Sequence, residues 1–133
     1  MVDINNHLEV KALSESCQIL SDTLNKVEKN IFPGQSVLKL DKIAEDYIIS
    51  CNAKPAFKGY EGFPATLTVS IDDEIVHGIP KNMILKEGQI VSIDCGVIKN
   101  DFYSDSARTI AVGKISDEKQ KLLDVTKLCV IQI

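Results

Sequence analysis

Asp94 stands in the middle of an apolar run, Gln89-Ile90-Val91-Ser92-Ile93-Asp94-Cys95-Gly96-Val97-Ile98. Aspartate is a poor strand former, and an unpaired carboxylate buried in a sheet is costly unless it gives up its charge. Asp105 repeats the anomaly in the run from Phe102 to Val112. Between the runs, Asn100-Asp101 has the residue types of a two-residue hairpin turn. Such a turn sets the register, so that Gly96 faces Asp105 and Asp94 faces Ala107. Side chains alternate along a strand, which makes Asp94 and Asp105 diagonal neighbours on one face, their backbones roughly 7–8 Å apart. Glycine at position 96 leaves room opposite Asp105. Two carboxylates so placed repel unless a proton or a cation lies between them, and such a pair can bridge two divalent ions about 3.5–4 Å apart. Arg108 is close in sequence, but its parity directs it to the other face. On spacing alone a metal site and a structurally paired or edge-exposed aspartate both stay open.

His77 is the second candidate. Ile75-Val76-His77 reads as a short strand ending at Gly78-Ile79-Pro80, which puts the imidazole at a strand edge leading into a loop, where functional histidines concentrate. A hydrogen-bonded structural histidine is the alternative. His7 carries no signal, and Asp72, Asp73 and Asp101 read as turn residues.

The elements that must position these groups follow from hydrophobic period. Leu13, Cys17, Leu20, Leu24, Val27 and Ile31 form the stripe of an amphipathic helix, capped by Asn5 or Asn6 and ended by Pro33-Gly34. Ser36 caps a second helix with the stripe Val37, Leu40, Ala44, Tyr47 and Cys51, closed by Pro55. The period then changes to two: Leu67, Val69 and Ile71 alternate with Thr66, Thr68 and Ser70 as a half-buried strand. After the hairpin and Gly113, Ser116 caps a last helix whose apolar positions are Leu122, Val125, Thr126 and Cys129. Two N-terminal helices, antiparallel strands and one trailing helix make an α+β layout, and residues 1–133 read as one domain.

Composition narrows the function classes. Fifteen Lys and Arg against nineteen Asp and Glu give a net charge of −4, which argues against nucleic-acid binding. A hydrophobic content of 44% with 26% charged residues suits a packed core. No apolar run approaches the ~20 residues of a membrane span, and the N-terminus lacks the pattern of a secretory signal, so a cytoplasmic setting is expected. Cys17, Cys51, Cys95 and Cys129 contain no C-x-x-C pair and read as reduced structural residues in apolar surroundings.

Gly59-Tyr60-Glu61-Gly62-Phe63-Pro64, Val76-His77-Gly78-Ile79-Pro80, Ile93-Asp94-Cys95-Gly96 and Asp101-Phe102-Tyr103-Ser104-Asp105 follow in order. Together they resemble the type I methionine aminopeptidases of the pita-bread fold, over about Leu13 to Thr126 and matching the family's N-terminal half. The resemblance implies that Asp94 and Asp105 bind and bridge two divalent ions, Co, Mn, Fe or Zn. It implies that His77 hydrogen-bonds the scissile amide, and that Tyr60 and Phe63 line the pocket for the initiator methionine. The implied reaction is metal-assisted hydrolysis that removes N-terminal methionine from peptides or nascent proteins when the second residue is small. The family's remaining ligands are a histidine and two glutamates, and no His or Glu follows Glu118. The expectation is therefore a truncated N-terminal portion, inactive by itself and prone to self-association through an exposed half-fold. A non-catalytic pita-bread binding module and an Xaa-Pro aminopeptidase fragment, suggested by Tyr103-Ser104, are the alternatives.

Overall fold

Asn100 and Asp101 both take positive φ, 50° and 65°, as a type I′ hairpin turn requires. They join β3 (Ile90–Lys99) to β4 (Phe102–Ala111) in the expected register, with Gly96 opposite Asp105 and Asp94 opposite Ala107. The computed structural model describes residues 6–131. Since β4 occupies one edge of β3 along its length, the other edge is shared by β1 (Lys54–Pro55) and β2 (Leu67–Ile71). All three pairings are antiparallel.

The inward face of β3 carries Val91, Ile93, Cys95 and Val97, all fully buried. They pack with Leu67, Val69 and Ile71 of β2 against α1 (His7–Glu28) and α2 (Val37–Ser50). Asn6 caps α1, its side-chain oxygen accepting the Leu8 and Glu9 amides at 3.0 Å each; Asn5 lies outside the described residues. The buried stripe of α1 starts at Ser16 rather than Cys17, which is exposed. Ser16 Oγ donates to the Val97 carbonyl at 3.1 Å and pairs with Ser104 Oγ at 2.8 Å. A small hydroxyl lets the helix axis approach the strands where a larger side chain would hold it off. In α2 the expected stripe turns by one residue: Ile48 is buried, while Tyr47 sits half-buried at the rim with Lys26 Nζ 4.8 Å from its ring centre.

Two further expectations change. β2 is buried on both faces, with Thr68 and Ser70 as enclosed as the apolar residues, because the following loop lies on it. Gly78 accepts from Val69 N at 2.8 Å and donates to Ser70 Oγ at 3.2 Å. A Cβ at Gly78 would collide with the Val69 carbonyl. Reaching that contact bends the chain so sharply that Ile75–His77 forms no strand; Val76 and His77 have φ of 31° and 54°. For a β-branched valine this is a strained backbone.

α3 (Asp117–Ile131) starts with Ser116 Oγ accepting the Lys119 amide at 3.3 Å. Lys119 Nζ ties the helix to the sheet through Asp72 Oδ1 and the Gly88 carbonyl, both at 2.7 Å. Leu122, Val125, Leu128 and Val130 along the helix are exposed. Cys129 is exposed with them, Cys51 is partly buried, and only Cys95 behaves as a core residue; its thiol is pushed up to about 12 by burial and by neighbouring carboxylates, so it stays protonated. Among the described residues no helix is long and apolar enough to cross a membrane.

Ser16→Ala deprives the buried Ser104 hydroxyl of its partner. It is predicted to lower unfolding free energy by about 1–2 kcal/mol, measured by urea denaturation, with Cys17→Ala unchanged.

Candidate metal centre

Strand alternation divides the sheet's chemistry. Opposite the apolar, helix-covered face, β2 and β3 present Thr68, Ser70, Ser92 and Asp94, and β4 presents Asp105 and Thr109. Ser92 and Thr109 hydrogen-bond across the ladder at 2.8 Å. Arg108 goes to the helix side, as its parity requires, and pairs with Glu28 at 2.9 Å and Asn25 at 2.7 Å. No basic side chain from β4 therefore neutralises Asp105.

Asp94 and Asp105 are diagonal neighbours on this face, so that a proton on one would be shared with the other. Burial, followed by the hydrogen bond and charge of Asp105, pushes Asp94 from 3.8 up to about 6. The Cys95 amide and nearby His77 pull it down without reversing the shift. A proton-sharing carboxylate pair offers hard oxygen donors to a divalent cation, which would relieve the same repulsion. Among the described residues no group of three or more His, Cys, Asp or Glu side chains gathers around a common point. The pair thus fits a divalent ion as part of its ligand set.

The carboxylates form the floor of a cavity of about 590 Å³. Its walls include all the other expected residues: Tyr60 and Phe63 from one loop, His77 from another. The first loop makes a 3₁₀ turn at Tyr60–Gly62, with Gly59, Glu61 and Gly62 at positive φ of 89°, 46° and 82°. Gly59 N donates to Phe63 O at 2.8 Å and Phe63 N to Tyr60 O at 2.9 Å, so the aromatic pair rides on a compact turn. The His77 loop is braced by Glu74, which accepts from Ile71 N at 3.1 Å and from Lys81 Nζ at 2.7 Å.

Phe57, Glu61, Pro64, Thr68 and Ile79 also line the cavity and were not expected from the sequence. Thr68 could have been found, since it pairs with Asp94 in the ladder. Phe57 is signalled indirectly by Gly96. The space at that glycine is not open, as expected, but filled: a Cβ there would lie 2.8 Å from both the Ala56 methyl and the Phe57 ring.

The profile of metallopeptidase family M24 matches residues 11–133. This chain belongs to metallopeptidase family M24. Within the family, methionine aminopeptidase of Clostridium acetobutylicum is 48% identical over 128 residues, 96% of this chain and 51% of that protein. That of Borreliella burgdorferi is 52% identical over 118 residues, 89% of this chain and 47% of that protein. The solved methionine aminopeptidase of Thermotoga maritima matches with a TM-score of 0.91 at 32% identity, covering 96% of this chain and 51% of that one. Pyrococcus furiosus prolidase shares the pita-bread fold at a TM-score of 0.76 and 22% identity. The chain spans about half the length of the curated relatives it matches.

For this M24 chain the raised Asp94 pKa has a consequence in the metal-free state. The folded protein binds more protons than the unfolded one between pH 3.8 and about 6, so stability contributed by this group is lost as pH rises through that interval. The melting temperature without metal is predicted to increase on acidification from pH 7 to pH 5. Asp94→Asn should raise it at pH 7 and reduce the slope, leaving the residue due to Asp41, also raised by burial.

Proposed function

We propose that this chain carries one half of the catalytic apparatus of a methionine aminopeptidase, removing the initiator methionine from peptides and nascent proteins. The observation that carries the reading is a single cavity lined by a carboxylate pair, a histidine and an aromatic wall, in a chain whose relatives bear that name. Asp94 and Asp105 would hold two divalent ions, which when bound supply Lewis-acid activation of water and of the peptide carbonyl. Which of Co, Mn, Fe or Zn serves depends on availability more than on affinity.

The protein's own groups do the rest. His77, on a loop held in a left-handed backbone, donates a hydrogen bond to the scissile amide and steadies charge developing there. Tyr60 and Phe63 take the methionine side chain, whose flexible thioether packs well on aromatic edges. The acidic floor suits the cationic α-amine of a peptide N-terminus. A cytoplasmic setting, where nascent chains carry their methionine, agrees with this chemistry. Two carboxylates fall short of the usual ligand count, so the remaining ligands would come from the half of the relatives' length outside the match.

The test is release of methionine from a Met-Gly peptide, against release of the first residue from an Xaa-Pro peptide. The chain alone is predicted to give no turnover. Assembled with the complementary half and loaded with metal, it should cleave Met-Gly only. His77→Ala should lose about 10²–10³-fold in kcat, the usual value of one transition-state donor, and Asp94→Ala all activity. Cleavage confined to Xaa-Pro peptides would overturn the reading.

By itself the chain should also self-associate. α3 exposes an apolar row, and β4 has no partner on its outer edge among the described residues, a combination that invites edge and patch pairing. Light scattering at tens of micromolar should give a mass above 14.7 kDa; a clean monomer would contradict this.

A further inference from the structure

The loop that carries Tyr60 and Phe63 is fastened to α2 at both ends by carboxylates one helical turn apart. At its start, Lys58 Nζ pairs with Glu45 at 2.5 Å. At its end, Asp41 Oδ1 accepts two backbone amides, Thr66 N at 2.9 Å and Leu67 N at 2.8 Å. The two fastenings are unequal. The Lys58 side chain is 44% exposed, and ion pairs of that kind contribute little. Asp41 is partly buried, enough for burial to raise its pKa, and its two bonds are charge-assisted. Leu40 and Ala44, either side of it on α2, are fully buried, so the carboxylate is mounted on an immobile base.

We propose that Asp41 is a positioning residue for the aromatic wall of the cavity: by accepting the Thr66 and Leu67 amides it fixes the loop that holds Tyr60 and Phe63 over the carboxylate floor. The identity of the ligand rests on the methionine aminopeptidase reading; the tether does not. Asp41 lies outside the cavity lining and touches no reacting atom. Its loss should therefore loosen ligand binding at the aromatic wall while leaving cation binding at Asp94 and Asp105 intact.

The experiment compares wild type, Asp41→Ala, Asp41→Asn and Asp46→Ala, an exposed α2 carboxylate paired with Lys42. Amide hydrogen exchange is read across residues 56–66, with titrations of L-methioninamide and of Mn²⁺. Asp41→Ala should speed exchange in the loop and weaken methioninamide by at least about tenfold, the value of one charge-assisted hydrogen bond. Its Mn²⁺ affinity should match wild type. Asp41→Asn, which keeps an acceptor oxygen without the charge, should fall between, and it decides the question where the alanine variant fails to fold. Asp46→Ala should change nothing. Unchanged loop exchange in both Asp41 variants overturns the proposal, as does faster exchange with unaltered methioninamide affinity. Where the wild-type chain itself does not bind methioninamide, loop exchange alone decides the tether: faster exchange in both Asp41 variants supports it and unchanged exchange overturns it, while the methionine reading stands on the peptide assay of the assembled protein.

Discussion

The left-handed pair Asn100–Asp101 sets the register of the β3–β4 hairpin, and with it the division of the sheet into two chemically distinct faces. Because side chains alternate, a slip of one residue would turn Val91, Ile93, Cys95 and Val97 toward solvent and drive Asp94 into the core. Burial of those four residues against α1 and α2 opposes such a slip at every position. The turn and the core thus enforce the same alignment. A consequence is that Asp94 and Asp105 are held together although their charges repel.

That repulsion persists because the surroundings over-determine it. Asp94 sits on β3, whose other face is fully buried, so it cannot move away without disturbing the core, and the ladder holds Asp105 of β4 beside it. Beside them the cavity is flanked by two loops, each tied to an end of β2. Asp41 holds the incoming end, and Glu74 braces the outgoing one. Gly78 then lies against the β2 backbone in a space that admits no side chain. Strain at Val76 and His77 is the local cost of delivering the imidazole to the cavity, and the Gly78 contacts offset it.

Much of this is legible in the sequence. The hairpin turn, the register and the diagonal carboxylates follow from residue type and strand period alone, because a two-residue turn leaves no freedom in pairing. The helices are also legible, but the structure turns their stripes by one residue, burying Ser16 in place of Cys17 and Ile48 in place of Tyr47. An apolar or aromatic side chain outweighed Ser16 and Ile48 in the pattern, whereas close approach of helix to sheet favoured the small hydroxyl. Ile75–Val76–His77 looked like a strand because β-branched residues favour one; the tertiary contact at Gly78 overrode that propensity. The cavity walls were least legible, since Phe57, Glu61 and Ile79 belong to loops whose course is set by distant tethers such as Asp41.

The most direct test of the central claim is carboxyl-carbon NMR of the metal-free chain, labelled at aspartate and titrated from pH 3 to pH 8. A paired arrangement predicts an Asp94 midpoint near 6 that falls toward the ordinary carboxylate range in Asp105→Asn. An Asp94 resonance that titrates near 4 in wild type, indifferent to Asp105, would mean that the two carboxylates do not share one site.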